Sequence, residues 1–266
     1  MIRDVDFHIH TEGMTIQDLL ARAQKVGLEM LGISDHLNFE FGTLEDIPQN
    51  LEVFRRNKKY LENAETLLPV FFGCEVHIMD EWGFNPLTDE IREEFNFDYI
   101  IGGLHGLYGP RGSHREIIDL YQTLFLQMAE DRLIEVIVHP YWVPQRAMDE
   151  NELPMFPSLE MVPERYMREV AQAAVETNTA IEVNSGGIFS NPSLSDTFKE
   201  GYKDFLRILD EEGVQFAIGS DAHTLNHIGA SRTARDVLES IGVVEEQIWL
   251  PRKASCRSAK NVKRET

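Results

Sequence analysis

The stretch DVDFHIHTE, residues 4–12, places two histidines two positions apart in an otherwise apolar segment. Successive side chains of a β-strand point to opposite faces, so His8 and His10 point the same way, and Asp6 shares their face. The apolar residues that alternate with them occupy the opposite face, where they can pack against helices: Val5, Phe7 and Ile9. A single buried histidine would more simply be a core residue. The repeated spacing instead predicts a strand that carries a pair of metal ligands.

Six later segments end in the same way, with an apolar run followed by polar residues. They are LGISDH, FFGCEVH, YIIGGLH, VIVHP, IEVNS and FAIGSDAH. Segments with helical spacing of apolar residues separate them, and strands that alternate with helices pair in parallel. Near-continuous apolar runs are typical of strands that are buried on both faces.

The polar residues all fall at the carboxyl ends of the predicted strands. An α/β barrel builds its active site there, whereas an open doubly wound sheet would gather only two or three strand ends at its switch point. Polar ends on all seven predicted strands therefore favour a closed α/β barrel. We predict that it forms a single domain over residues 1–251.

Three segments fall outside this repeating pattern. Residues 141–163 form a Pro-rich connection that is long for a compact domain, and its length predicts a lid or a loop at the mouth of the barrel. The stretch QIWL, residues 247–250, could add one short strand. Residues 252–266 are basic and poor in apolar side chains, which predicts a solvated, partly disordered tail.

The composition limits the partners and the compartment. Forty-five acidic against 25 basic residues give a formal net charge of −20, which repels nucleic acid and anionic membranes unless bound cations reverse the field locally. Cys74 and Cys256 form no CxxC pair, so neither a disulfide framework nor a thiolate zinc site is predicted. The sequence shows no apolar signal segment and no run of about 18 apolar residues, so we expect a cytoplasmic protein without a membrane anchor.

The side chains at the strand ends are of the types that bind metals. They are His8, His10, His36, Glu75, His105, His139, Asp221 and His223, with Glu12 just beyond the first strand. A catalytic zinc ion uses about three protein ligands plus water, so this set is large enough for two or three divalent ions. Imidazole combined with carboxylate suits Zn, Mn or Fe.

Seven motifs in sequence carry a resemblance to a known family: DFHIHT, ISDH, GCEVHI, GGLHG, VHP, EVNS and GSDAH. The chain resembles the PHP family, the polymerase and histidinol phosphatase superfamily, along nearly its whole length to about Leu250. The resemblance implies a distorted (β/α)7 TIM-like barrel with a trinuclear site. It also implies three sets of ligands: His8, His10, Glu75 and Asp221 for one metal, Glu75 as a bridge to a second held by His105 and His139, and His36 with His223 for the third.

One interval departs from the family pattern. Many members carry a histidine or an aspartate a few residues after the HxH pair as a further ligand of the third metal. Here the interval reads HTEGMTIQD, and Glu12 could take that place. The first two sites are complete without it.

Five further residues are candidates for binding substrate. Arg111, His114 and Arg146 lie in loops after ligand-bearing strands, where a guanidinium could hold a phosphate through two hydrogen bonds. Surface charge on a polar loop is the simpler interpretation of these three. His77 could contact substrate or line the mouth of the barrel. Asn184 could orient a ligand or cap its loop.

The residues favour a metal-dependent hydrolase of small phosphate monoesters, similar to histidinol phosphatases. Two metals would lower the pKa of a bridging water, hold the resulting hydroxide in line with phosphorus and neutralise the phosphate oxygens, with Glu75, Asp221 and His223 as catalytic residues.

Three alternatives fit the residues less well. An amidohydrolase-type barrel that hydrolyses C–N bonds also opens with HxH, but it commonly uses a carboxylated lysine, and no lysine lies at a predicted strand end. A nuclease-type phosphodiesterase would require a polyanion to approach a chain of charge −20. A structural metal site is usually closed by four ligands, fewer than this rim offers.

Overall fold

The computed structural model describes residues 1–11, 13–37, 47–78 and 80–251. Its strands are β1 (Val5–Asp6), β2 (Met30–Ile33), β3 (His36–Leu37), β4 (Val70–His77), β5 (Tyr99–Gly103), β6 (Val136–Ile137), β7 (Ala180–Asn184) and β8 (Phe216–Gly219). Its α-helices are α1 (Ile16–Val26), α2 (Ile47–Asn63), α3 (Asp89–Phe95), α4 (His114–Glu130), α5 (Gln145–Glu150), α6 (Glu164–Thr177), α7 (Asp196–Glu212) and α8 (Arg232–Ile241). Glu12 and the predicted tail at residues 252–266 lie outside the described residues.

The strands in this part of the chain pair in parallel in the order β1-β2-β4-β5-β6-β7-β8, with β3 beside β4. Backbone hydrogen bonds connect the first strand to the last. The N–H of Phe7 donates to the carbonyl of Ile218 (2.9 Å), and the N–H of His10 donates to that of Ala222 (3.0 Å). The sheet is therefore a nearly closed barrel with helices between its strands, which confirms the predicted TIM-like α/β fold.

Local sequence signals fix the ends of the helices. Thr15 caps α1, its hydroxyl accepting the N–H of Asp18, and Gly27 ends that helix in the left-handed conformation at φ 79°. Gly213 ends α7 in the same way at φ 85°. After each of these helix ends the chain enters the amino end of the next strand. The carboxyl end of that strand, with its polar residues, therefore lies at the same rim of the barrel as the others.

The first two predicted strands are interrupted. β1 ends at Asp6, whose carboxylate takes the N–H of His8 (3.3 Å), and beyond it Ile9 makes an isolated bridge with Ala222. The second predicted strand divides into β2 and β3 at Ser34, whose N–H donates to the carbonyl of Ile9 (2.9 Å). The regular strands are thus shorter than the apolar runs that predicted them, and at His8 a side chain competes with the ladder for the backbone N–H.

An aromatic cluster lies beneath the polar strand ends. The ring of Phe7 packs edge-on against Phe71, Tyr99 and Trp249, with centroid separations of 5.6, 6.2 and 5.7 Å. Phe71 shares its face of β4 with Glu75, since the two are four residues apart on the strand. Phe7 therefore packs under the candidate site and not against the helices, contrary to the simple alternation expected from the sequence.

Tyr99 is held tightly within this aromatic cluster. Its hydroxyl donates to the carbonyl of Phe7 (2.8 Å), and the side chain is almost fully buried. A Cβ atom on either Gly32 or Gly73 would overlap its ring. The two glycines therefore make room for the ring of Tyr99.

The connection over residues 141–163 is packed into the protein. It contains α5 and a 3₁₀ turn at Leu159–Met161, and Val143, Met148 and Phe156 are buried in the main core. Its start lies beside the candidate site, since the ring of Trp142 is 5.3 Å from that of His139. The connection therefore packs into the hydrophobic core and also borders the candidate site.

The segment QIWL does not form a strand. Ile248 makes an isolated parallel bridge with Phe216, and the N–H of Trp249 donates to the Phe216 carbonyl (2.8 Å).

Among the helices that the structure describes, none combines the length and the apolar character that crossing a bilayer requires.

Candidate metal centre

Glu75 lies near the end of β4 with its carboxylate fully buried among imidazoles. Its Oε1 atom lies 3.1 Å from Nε2 of both His105 and His139. Its Oε2 atom lies 2.9 Å from Nε2 of His36 and 3.2 Å from Nε2 of His8. The two nearest imidazoles therefore differ for the two carboxylate oxygens, and Nε2 of His10 is a third, more distant neighbour of Oε2 at 3.5 Å.

Asp221 approaches the same imidazoles from the end of β8. Its Oδ1 atom lies 3.3 Å from Nε2 of His10 and 3.6 Å from Nε2 of His8. The rings of His10, His36 and His223 pack together as a group of three, with the His10 centroid 4.0 Å from that of His36 and 4.2 Å from that of His223, and the last two 5.6 Å apart. Residues from the first, second and last predicted strands thus meet in one cluster.

Four groups of three side chains could each hold a metal ion within the described residues. In every group the ligand atoms lie within 4.8 Å of one another. The groups are His10, His36 and His223; His8, His139 and Asp221; His8, His10 and Glu75; and His36, Glu75 and His105. All eight strand-end residues of the prediction take part, and the shared members mean that ions in different groups would be neighbours.

The buried donor atoms fit divalent metal ions. Nε2 of His8, both ring nitrogens of His10 and Oε2 of Glu75 are buried and make no hydrogen bond of good geometry in the described part of the chain. Burying such polar atoms is costly unless something binds them. Nitrogen and carboxylate oxygen in this mixture are ligands of zinc, manganese and iron.

The electrostatics of the cluster favour cations. Burial alone would raise the pKa of Glu75, but His8, His105 and His36 hold it well below its usual range, so the carboxylate is ionised. Burial and the neighbouring His36 lower the pKa of His10 to about 3, which keeps its ring neutral. An ionised carboxylate and a neutral imidazole are the forms that bind metals.

Two of the predicted ligands have unusual backbone conformations. His139 has φ 34° and Asp221 has φ 56°, in the left-handed region that non-glycine residues rarely adopt. Each such residue costs about 1–3 kcal/mol and persists only where its surroundings hold it. The N–H of Asp221 donates to the carbonyl of His8 (2.8 Å), which fixes the first and last ligand segments against each other.

A carboxylate that sequence reasoning missed lies behind the cluster. Glu182 in β7 is buried, and its Oε1 atom lies 2.7 Å from Nδ1 of His8. Its Oε2 atom accepts the N–H of His139 (2.8 Å) and the side-chain amide of Asn184 (3.0 Å). The sequence carried a signal for this residue, since Glu182 and Asn184 alternate onto one face of a strand.

A second buried network supports the ends of the first two strands. The carboxylate of Asp35 accepts the N–H of Thr11 (2.6 Å), the hydroxyl of Thr11 (2.8 Å) and the side-chain amide of Asn57 on α2 (2.5 Å). Asp6 performs a similar role across the closure, accepting the N–H of Ser220 (2.9 Å). Thr11, Asn57 and Ser220 had no distinctive sequence spacing that could have identified them.

The three loop residues predicted to bind substrate make other contacts. The guanidinium of Arg111 donates to the carbonyl of Leu107 (3.0 Å) and to Glu81 (2.8 Å). Nε2 of His114 lies 2.7 Å from the carbonyl of Pro154, and Arg146 donates to Glu150 (2.8 Å). Arg111 thus holds its own loop, whereas the structure places His114 at the start of α4 and Arg146 within α5, so the prediction that these two lie in loops was wrong.

The other two candidates lie at the metal centre. The buried ring of His77 is 4.8 Å from that of His105, and burial together with His105 lowers the pKa of His77 to about 3. Asn184 accepts the N–H of Gly187 (2.7 Å) and points its amide at Glu182 and Asp221. Substrate binding by any of the five stays a prediction.

Two proteins named as probable phosphatases are similar to this chain along most of its length. A probable phosphatase of Clostridium botulinum (strain Langeland) is 28% identical over 249 residues, which cover 92% of this chain and 88% of that protein. A probable phosphatase of Caldicellulosiruptor saccharolyticus is 24% identical over 261 residues, which cover 93% of this chain and 92% of that protein.

A solved structure shares the fold. Histidinol phosphate phosphatase from Lactococcus lactis subsp. lactis, complexed with zinc, L-histidinol and phosphate, superposes with a TM-score of 0.56 at 15% identity, covering 92% of this chain and 95% of that chain. At this identity the similarity supports the fold alone.

Fold and site together define an α/β barrel with a histidine-rich cluster of potential metal ligands at the carboxyl ends of its strands. The sequence model of the PHP domain matches residues 6–186, more than half of the chain, so this chain belongs to the PHP domain family. The resemblance found in the sequence motifs is thereby confirmed.

Proposed function

We propose that this PHP-family phosphoesterase hydrolyses small phosphate monoesters with the help of two or three divalent ions, drawn from zinc, manganese and iron. The observation that carries the proposal is the buried carboxylate of Glu75, whose two oxygens face different pairs of imidazoles. A carboxylate can bridge two metals in this way, and adjacent metals are typical of phosphatases.

The proposed ligands are the eight strand-end residues. His8, His10, His36, Glu75, His105, His139, Asp221 and His223 would hold the ions, with Glu12 as a further candidate outside the described residues. When bound, divalent ions acidify water and neutralise charge on phosphate oxygens. Burial lowers the pKa of His10 and of His105, which favours their neutral rings, and the packed strand ends fix the orientation of the ligands and exclude water from the floor of the site.

The exposure of the ligands indicates where a substrate would enter. The side chains of His8, His10, His36, Glu75 and His139 are at most 2% exposed, whereas those of Asp221 and His223 are 17% and 38% exposed. The phosphate would therefore approach along Asp221 and His223. This placement supports their proposed catalytic role beside Glu75, which holds the opposite, buried side.

Purified protein is expected to contain at least two transition-metal ions per chain, because Glu75 alone contacts two separate pairs of imidazoles. Elemental analysis of freshly purified and chelator-treated protein measures the content. Protein that holds no metal, and regains none from zinc or manganese, would contradict the proposal.

Small phosphate monoesters should be cleaved, and long nucleic acids poorly. The formal charge of −20 repels a polyanion along its whole length. A small ester is affected mainly by the local field of its binding site, which bound metal ions would make positive. A panel of phosphate monoesters, including histidinol phosphate, run beside a diester, an amide and single-stranded DNA on metal-analysed enzyme tests this prediction. Faster cleavage of the DNA or of the amide than of every monoester would exclude the proposed substrate class.

Cytoplasmic location remains a prediction from the sequence.

A further inference from the structure

Glu182 receives three N–H groups from three different segments of the barrel rim. These are Nδ1 of His8 after β1, the backbone N–H of His139 after β6 and the side-chain amide of Asn184 at the end of β7. The backbone N–H and the side-chain amide can only donate, so Oε2 acts purely as an acceptor. Both oxygens of one buried carboxylate are thus occupied by nitrogens of the candidate site.

The contact with His8 determines which ring nitrogen of that histidine is available. A carboxylate oxygen at 2.7 Å accepts the proton of Nδ1, so the lone pair of the neutral ring lies on Nε2. Nε2 is the atom that points into the cluster, 3.2 Å from Glu75 and 3.6 Å from Asp221. Carboxylates behind ligating histidines fix ring orientation in this way in many metal sites.

We propose that Glu182 is a positioning residue of the metal centre, which sets His8 to bind metal through Nε2 and ties His8 to the ligand segment of His139. The carboxylate does not itself face the open side of the site. It reaches the opposite side of the His8 ring, and through Asn184 it also connects to Asp221, whose Oδ2 atom lies 3.5 Å from the Asn184 amide. Three ligands from distant parts of the sequence therefore depend on one side chain.

The barrel is shaped to admit this side chain. At Gly219 in β8, a Cβ atom would overlap Oε1 of Glu182 and would lie 2.7 Å from Cβ of His8. The absence of a side chain at Gly219 leaves space for the carboxylate beside the His8 ring. Glycine here reflects close packing around Glu182 and not a turn, because the residue lies within a regular strand.

The test compares Glu182→Gln with Asp98→Asn in the full-length protein. Gln keeps the shape of Glu182 but offers one acceptor oxygen and one NH₂ donor to three N–H groups. Either His8 must move its proton to Nε2, or the His139 N–H loses its acceptor. Asp98 is a matched control, since it is also a buried carboxylate that accepts a backbone N–H, that of Phe72 (2.9 Å), at the opposite end of the barrel.

Competition titrations of the metal-free proteins with zinc measure the affinity. Glu182→Gln is expected to bind zinc about 10- to 100-fold more weakly at the sites that use His8, with activity lost at limiting zinc and regained with excess zinc. Asp98→Asn is expected to bind zinc as the wild type does. Equal zinc affinity in Glu182→Gln and wild type, or an equal loss in Asp98→Asn, would overturn the proposal.

NMR of zinc-loaded wild-type protein with isotope-labelled histidine tests the same proposal even if Glu182→Gln fails to fold. His8 is expected to carry its proton on Nδ1 and to show the chemical shift of a metal-bound nitrogen at Nε2. The reverse pattern would refute the proposal.

The inference rests on metal binding in the proposed function and not on the substrate. A protein that binds zinc in this Glu182-dependent way but cleaves no phosphate ester would refute only the substrate class.

Discussion

Glu75→Gln is expected to lose at least one metal ion per chain and to lower kcat by several orders of magnitude while the barrel remains folded. The substitution keeps the shape of the side chain and removes its charge. Two neighbouring cations would then repel each other with less compensation, and one group of imidazoles would face an NH₂ donor in place of an acceptor. Elemental analysis, turnover of a phosphate monoester and circular dichroism measure the three parts of this expectation.

His77→Asn is the matched control for Glu75→Gln. His77 lies on the same strand and the same face, and its ring is close to His105, but it belongs to none of the metal groups found among the described residues. Its replacement should change metal content little and activity much less. Full metal content and near-normal turnover in Glu75→Gln would refute the bridging role and make His77 the stronger candidate at that strand end.

Tyr99→Ala is expected to lower the free energy of unfolding by about 3–5 kcal/mol, the usual cost of removing a large buried aromatic ring. The lost ring packs against Phe7 and Trp249, and its hydroxyl holds the Phe7 carbonyl. The backbone of the flanking glycines cannot collapse into the cavity. At about 2–4 °C per kcal/mol for a chain of this size, thermal unfolding monitored by circular dichroism should show a fall in Tm of about 10 °C.

Two companion variants make the Tyr99 result specific. Tyr60→Ala removes a tyrosine that is 38% exposed on α2 and should change stability by less than about 0.5 kcal/mol. Gly73→Ala alone should destabilise the protein because its Cβ meets the Tyr99 ring, and the same change should cost less in the Tyr99→Ala background. Strictly additive effects of the two substitutions would show that the ring and the glycine do not compete for the same space.

The sequence predicted the barrel well because its strand ends repeat one chemical pattern. Each apolar run ends in polar residues, and the carboxyl ends of parallel strands lie at one rim of a barrel. The sequence alone therefore predicted that His36, Glu75, His105 and Asp221 lie close together. The interruptions after Asp6 and at Ser34 could not be predicted in this way. They depend on where single N–H groups of the backbone find acceptors, which periodicity does not encode.

The supporting residues of the site were less accessible to prediction than its ligands. Glu182 alternates with Asn184 and could have been found from that spacing. Thr11 and Asn57 could not, because their connection to Asp35 joins a strand end to a helix in a different part of the sequence. The sequence also could not show that Arg111 holds its own loop, because a guanidinium in a loop after a ligand strand can bind either a substrate or the loop itself.

The closure between β1 and β8 constrains the order of events during synthesis of the protein. His8 leaves the ribosome before Ser220, which lies 212 positions further along the chain, and before the adjacent Asp221. Contacts of such high sequence separation form slowly, because a long loop of chain must first be ordered. The segment that carries His8 and His10 therefore stays unpaired with β8 until that strand has been synthesised. Complete metal loading, if the ions are held as proposed, becomes a late step that coincides with joining the two ends of the sheet.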